Sequence, residues 1–150
     1  MKLFICIAAC SAAGLLGSLW TTPGLRPWYA NLAKPAWTPP NWLFGPVWTA
    51  LYLMMAIAAW LVWRKEGLAG VPMMLFLFQL LLNVAWSWIF FGLRLPRAGF
   101  FEILLLWFAI LVTFLGFLRT VPAAGWLLVP YLIWVGYASA LNYSIWRLNS

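Results

Sequence analysis

The chain has no histidine, and its only acids among 150 residues are Glu66 and Glu102. A Ser–His–Asp triad and a pair of catalytic carboxylates therefore cannot be assembled. Cys6, Cys10 and two glutamates do not make a credible metal site, and a haem would lack its usual imidazole. There is no glycine-rich phosphate loop. No metal and no cofactor are expected, and conventional enzymology is close to excluded. Two cysteines do not make a disulfide framework. Four apart on one helix face, Cys6 and Cys10 read as small packing residues. Charged residues are 7% of the chain, against about a quarter in a soluble domain.

What fills the chain instead is apolar. Hydrophobic residues make up 67%, and the mean hydropathy is +0.97. Nearly uncharged runs predict helices at about 2–22, 43–64, 70–93, 98–118 and 122–147. Each approaches or exceeds the roughly 20 residues needed to cross about 30 Å of hydrocarbon. The runs are too long, and alternate too little, for barrel strands. The expected fold is an all-α membrane protein, a five-transmembrane-helix bundle occupying residues 1–150 as one domain. Three connections are short, so consecutive helices are expected to be antiparallel neighbours.

The net charge of +7 does not indicate nucleic acid. Lys2, Arg26, Lys34, Arg64, Lys65, Arg94, Arg97, Arg119 and Arg147 are spread over the helix ends rather than gathered on one face. Their expected role is anchoring at lipid headgroups. They divide four to five between the two sides, which leaves orientation open. Residues 1–17 have the look of a signal peptide, but apolar sequence runs on through Trp20, so an uncleaved first span is expected. Ala9, Ala13 and Gly17 form a small-residue stripe suited to close helix packing. Pro46 is expected in the first turn of its helix, and Pro130 is expected to kink the last one. Glu102 reads as an interface group beside Arg97 or Arg94, or else as a buried carboxylate.

The chain has 13 tryptophans, more than interfacial belts require. Some fall on helix faces with polar amides. Gln79, Asn83, Trp86 and Phe90 share one face of the third helix. Trp134, Ala138, Leu141, Asn142 and Ile145 share one of the fifth, and Trp48, Tyr52, Met55 and Ala59 one of the second. Amides in hydrocarbon need partners, which other helices can supply. The alternative is an indole-walled cavity for a flat apolar ligand, with Ala138 beside Trp134 leaving room. The loop that precedes helix two is rich in proline and stiff. It is expected to hold Trp37 and Trp42 over the end of the bundle as a lid.

Three segments carry a resemblance: "WYANLAKPAWTPPNWLFGPVWTALY" (28–52), "QLLLNVAWSWIFFG" (79–92) and "VPYLIWVGYASALNYSIWRLN" (129–149). Together with Trp37-Thr38-Pro39-Pro40, they resemble the TspO/MBR family, which includes translocator proteins, or peripheral benzodiazepine receptors, and bacterial tryptophan-rich sensory proteins. The resemblance implies a five-helix bundle, usually a homodimer, that binds porphyrins such as protoporphyrin, sterols and synthetic drugs. The implied role is tetrapyrrole transport, sensing or disposal under stress, in a cell membrane rather than an outer membrane. It places the pocket on Trp48, Tyr52, Asn83, Trp86, Trp134, Ala138 and Leu141; Gln79, Trp37 and Trp42 join these from the faces and lid above. Leu141, Tyr143 and Arg147 match the family's sterol motif. Ala98 stands where mammalian members carry Trp, and Glu102 where Asp is more usual. Two alternatives stay open: an unconventional enzyme that degrades porphyrin with light and oxygen through Trp48 and Trp134, and a regulatory membrane partner without ligand turnover.

Overall fold

A computed structural model describes all of residues 1–150. The helices are α1 (Lys2–Leu25), α2 (Asn41–Glu66), α3 (Val71–Ser87), α4 (Pro96–Thr120) and α5 (Pro122–Leu148), with no strand. A π-helical turn, Trp88–Gly92, prolongs α3. With that turn included, all five are long and apolar enough to cross a membrane.

None of the helices begins with a side-chain cap. Proline in the first turn of α3, α4 and α5 serves instead, because its missing N–H is one the helix start cannot satisfy anyway. Gly67 ends α2 at φ 82, where a Cβ would be strained, and its N–H bonds back to Trp63 O. One proline expectation needs correcting: α2 starts two residues earlier than expected, so Pro46 lies in its second turn. Pro130 lies inside α5, which is helical on both sides of it.

The packing order around the bundle is α1–α2–α5–α4–α3, closing back on α1. This corrects the expectation that every consecutive pair are neighbours. The short connection 67–70 joins α2 to α3, yet α2 packs mainly on α1 and α5, and α3 on α4 and α1, so that α1 stands between them. Their meeting is across the interior, through side chains. Small residues bring the helices close: Ala56, Ala58 and Ala59 of α2 are fully buried with Met55 and Val62. A Cβ on Gly125 would fall 2.7 Å from Leu118 Cα, so α5 meets α4 nearly backbone to backbone. On α1 the buried stripe is Cys6, Cys10, Ala13 and Gly17, whereas Ala9 faces outward.

At the other end of α1 its partner changes. A Cβ on Gly17 would meet Ser87 Oγ at 3.1 Å, and one on Gly24 would meet Phe91 Cβ at 2.8 Å. The second half of α1 thus leans on α3 and its π turn. Several basic residues do more than anchor. Lys65 Nζ donates to Thr120 O, and Thr120 Oγ1 donates to Glu66 Oε1 at 2.9 Å, tying α2 to α4. Lys34 Nζ donates to Tyr29 O, Leu32 O and Ala30 O at 2.8, 2.9 and 3.3 Å, which folds the first loop around its ammonium.

Candidate functional site

A cavity of about 620 Å³ lies between α1, α2, α3 and α5. Its aromatic wall comes from Phe44, Trp48 and Tyr52 of α2, Trp86 and Phe91 of α3 and its π turn, and Trp134 of α5. Trp48 lies 5.7 Å from Tyr52, centroid to centroid, and 6.2 Å from Tyr131. Phe44 meets Trp134 edge to face at 6.1 Å. Ala138, one turn beyond Trp134, leaves the α5 wall low. In the π turn Phe90 and Phe91 are buried and meet edge to face at 4.8 Å.

One polar chain reaches this cavity. Tyr52 Oη donates to Asn83 Oδ1 at 2.6 Å, Asn83 Nδ2 donates to Tyr131 Oη at 2.7 Å, and Tyr131 Oη donates to Gln79 Oε1 at 2.8 Å. A second chain runs from Trp86 Nε1 to Asn142 Oδ1 at 3.1 Å and from Asn142 Nδ2 to Pro96 O at 2.7 Å. The mid-membrane amides therefore have interhelical partners, as hydrocarbon requires. Asn83 also lines the cavity, whereas Gln79 is buried behind it.

Trp48, Tyr52, Asn83, Trp86, Trp134 and Ala138 come together at the cavity. Leu141 lines a small adjoining crevice with Tyr29 and Ile145. Trp37 and Trp42 line neither. Trp37 lies on Tyr137 at 5.5 Å, and Trp42 is 72% exposed in the first turn of α2. The loop is nonetheless fastened to the bundle. Asn149 grips the backbone of Ala33, accepting from its N–H at 3.0 Å and donating to its carbonyl at 2.9 Å. Tyr137 Oη donates to Trp37 O at 2.6 Å. The loop residue that reaches inward is Tyr29, packed on Phe90 and Phe91. Burial pushes its phenol up to about 12.

The α1 wall is absent from the sequence reading. Gly14, Gly17, Ser18 and Thr21 line the cavity; their three- and four-residue spacing was the available signal, and it reads equally well as packing. The sterol-motif residues do not present one surface: Leu141 is buried, while Tyr143 and Arg147 are exposed and Tyr143 packs on Phe100 and Trp146.

Glu102 is not an interface group paired with Arg97 or Arg94. Both of its carboxylate oxygens are buried without a hydrogen-bond partner, and the Arg97 guanidinium lies over Trp146 at 5.9 Å. It does not line the cavity. An unsatisfied buried polar group costs about 1–3 kcal/mol, so Glu102→Leu is expected to raise the thermal unfolding temperature in detergent. A lower temperature in that variant would mean that the carboxylate has a partner.

The model of the TspO/MBR family matches residues 6–147 of this chain. The chain is 46% identical to the tryptophan-rich protein TspO of Chlorobaculum tepidum, over 99% of this chain and 96% of that one. It is 40% identical to protein CrtK of Rhodobacter capsulatus, over 94% and 88% respectively. Its identity with the translocator protein of Homo sapiens is 44%, over 84% and 76%.

Proposed function

Because this chain belongs to the TspO/MBR family and is a multi-pass integral membrane protein, we propose that it binds a tetrapyrrole between its helices and acts in tetrapyrrole transport, sensing or disposal. The observation that carries this reading is the cavity walled by Trp48, Trp86 and Trp134. Its volume falls within the roughly 300–1,000 Å³ of small-molecule sites, and indole faces suit a flat macrocycle. Thr22 and Asn41 line the loop end of the cavity, where their polar side chains suit the polar edge of a porphyrin. Sterol-like molecules are a further apolar class for the same space. In this reading the protein works as a homodimer in a cell membrane.

A second reading, light-driven porphyrin degradation, is favoured by one observation. Trp48 and Trp134 both face the cavity, while no acid or base does. Dioxygen would be the oxidant, and light absorbed by the macrocycle would supply the energy. Purified protein incubated with protoporphyrin separates the readings. Quenching of tryptophan fluorescence in the dark, with a stable Soret band, is expected for binding. If light bleaches the band, Trp48→Phe and Trp134→Phe are expected to slow the loss and Glu102→Gln to leave it unchanged. Absence of quenching in the dark would defeat the proposed function.

A further inference from the structure

The cavity has one open side. Leu15 and Ser18 on α1 and Gly45, Thr49 and Leu53 on α2 line it and are exposed. These positions lie inside membrane-length helices, so the gap faces hydrocarbon rather than water. Its cause is the change of partner along α1. The first half of that helix packs on α2, with Lys2 reaching over Trp63. The second half is drawn to α3 by Gly17 on Ser87 and Gly24 on Phe91.

Three hydroxyls at and beside this mouth are turned back on their own helices. Ser18 Oγ donates to Leu15 O at 2.7 Å, Thr21 Oγ1 to Gly17 O at 3.0 Å, and Thr49 Oγ1 to Gly45 O at 2.8 Å. These hydroxyls need no water, and the surface they leave is methyl and methylene. The loop end, by contrast, is fastened by the Asn149, Tyr137 and Lys34 bonds described above. A dry void of this size would forfeit dispersion contacts along its lining, and ordered water would find few polar partners there. Hydrocarbon is available at the open side without breaking any bond.

We infer that, without ligand, a lipid acyl chain enters sideways between α1 and α2 and fills the cavity, and that an apolar ligand exchanges with it through this mouth rather than under the loop. The inference deepens the proposed function and rests on it only for the exchange. Acyl-chain occupancy stands independently.

The test uses the full chain in phosphatidylcholine vesicles, with acyl chains plain or brominated at mid-chain and no tetrapyrrole present. Trp134 faces the cavity from α5, across from the mouth, and its Nε1 makes no hydrogen bond. Trp134→Phe therefore removes a fluorophore without removing a bond. The difference between wild type and this variant isolates Trp134 emission, and Trp126, 64% exposed on the outer surface, is isolated in the same way. Brominated chains are expected to quench both. In Gly45→Phe, where a Cβ meets nothing within 4 Å, the ring occupies the mouth. Trp134 emission should then recover while Trp126 stays quenched. Equal Trp134 emission in plain and brominated vesicles, with Trp126 quenched, would overturn the occupancy. Quenching that persists in both Gly45→Phe and Thr49→Phe would overturn the route. Because no tetrapyrrole is present, neither result bears on whether the protein binds one.

Discussion

Ala138→Phe is expected to keep the five-helix fold and to lose most of its affinity for protoporphyrin. Ala138 borders both the main cavity and the crevice under Tyr29. A phenyl ring there has space to enter, so the cost falls on the ligand rather than on the core. Overfilling a packed site costs about 1–3 kcal/mol, which is roughly a 5- to 150-fold loss of affinity. Titration of tryptophan quenching with protoporphyrin measures it, and thermal unfolding without ligand should be unchanged. Ala140→Phe, on the exposed side of the same helix, is the control and should bind as wild type does. Equal affinity in the Ala138 variant would place the ligand elsewhere.

The spans were legible because length and hydropathy are local properties. Every span expected from uncharged runs is a helix, with ends moved by at most three residues, except the third, where the regular helix yields to the π turn at Trp88. The aromatic faces of α2, α3 and α5 were legible for a similar reason. Trp48 with Tyr52, Asn83 with Trp86, and Trp134 with Ala138 are each spaced within one turn. The packing order was not legible, since hydropathy carries no information about which helix stands beside which. The wall from α1 was hidden because Gly14 and Ser18 are small, and small residues signal close packing and open space equally well. Trp37 and Trp42 misled because proline density reports stiffness, not the direction of the flanking rings. The position of Glu102 could not be read either: the arginines one and two turns away in sequence offer plausible partners, but Arg97 lies on an indole instead.

Asn83→Leu should be the most damaging conservative change in the interior. A single interhelical side-chain bond in a bilayer averages about 0.6 kcal/mol, so the loss of one bond would scarcely register. Asn83 holds two, from groups on different helices. Its Oδ1 receives the Tyr52 hydroxyl of α2, and its Nδ2 donates to Tyr131 of α5. Leucine preserves the bulk but leaves Tyr52 without an acceptor and Tyr131 without its donor. Tyr131 keeps its own bond to Gln79 Oε1, but at 1% exposed it cannot accept from water in place of Asn83, and Tyr52 is left with no partner. A stranded buried group costs about 1–3 kcal/mol, and linked bonds lose more together than pairwise values suggest. The unfolding temperature of Asn83→Leu should therefore fall clearly below that of wild type. The double variant Asn83→Leu/Tyr52→Phe should recover part of the loss, because removing both partners abandons fewer polar groups than removing one. Its phenylalanine also keeps the aromatic cavity wall beside Trp48, so protoporphyrin quenching should survive in the double variant. If the double variant unfolds no higher than the single, the Tyr52–Asn83 bond is not what Asn83 contributes, and its role must lie with Tyr131 alone.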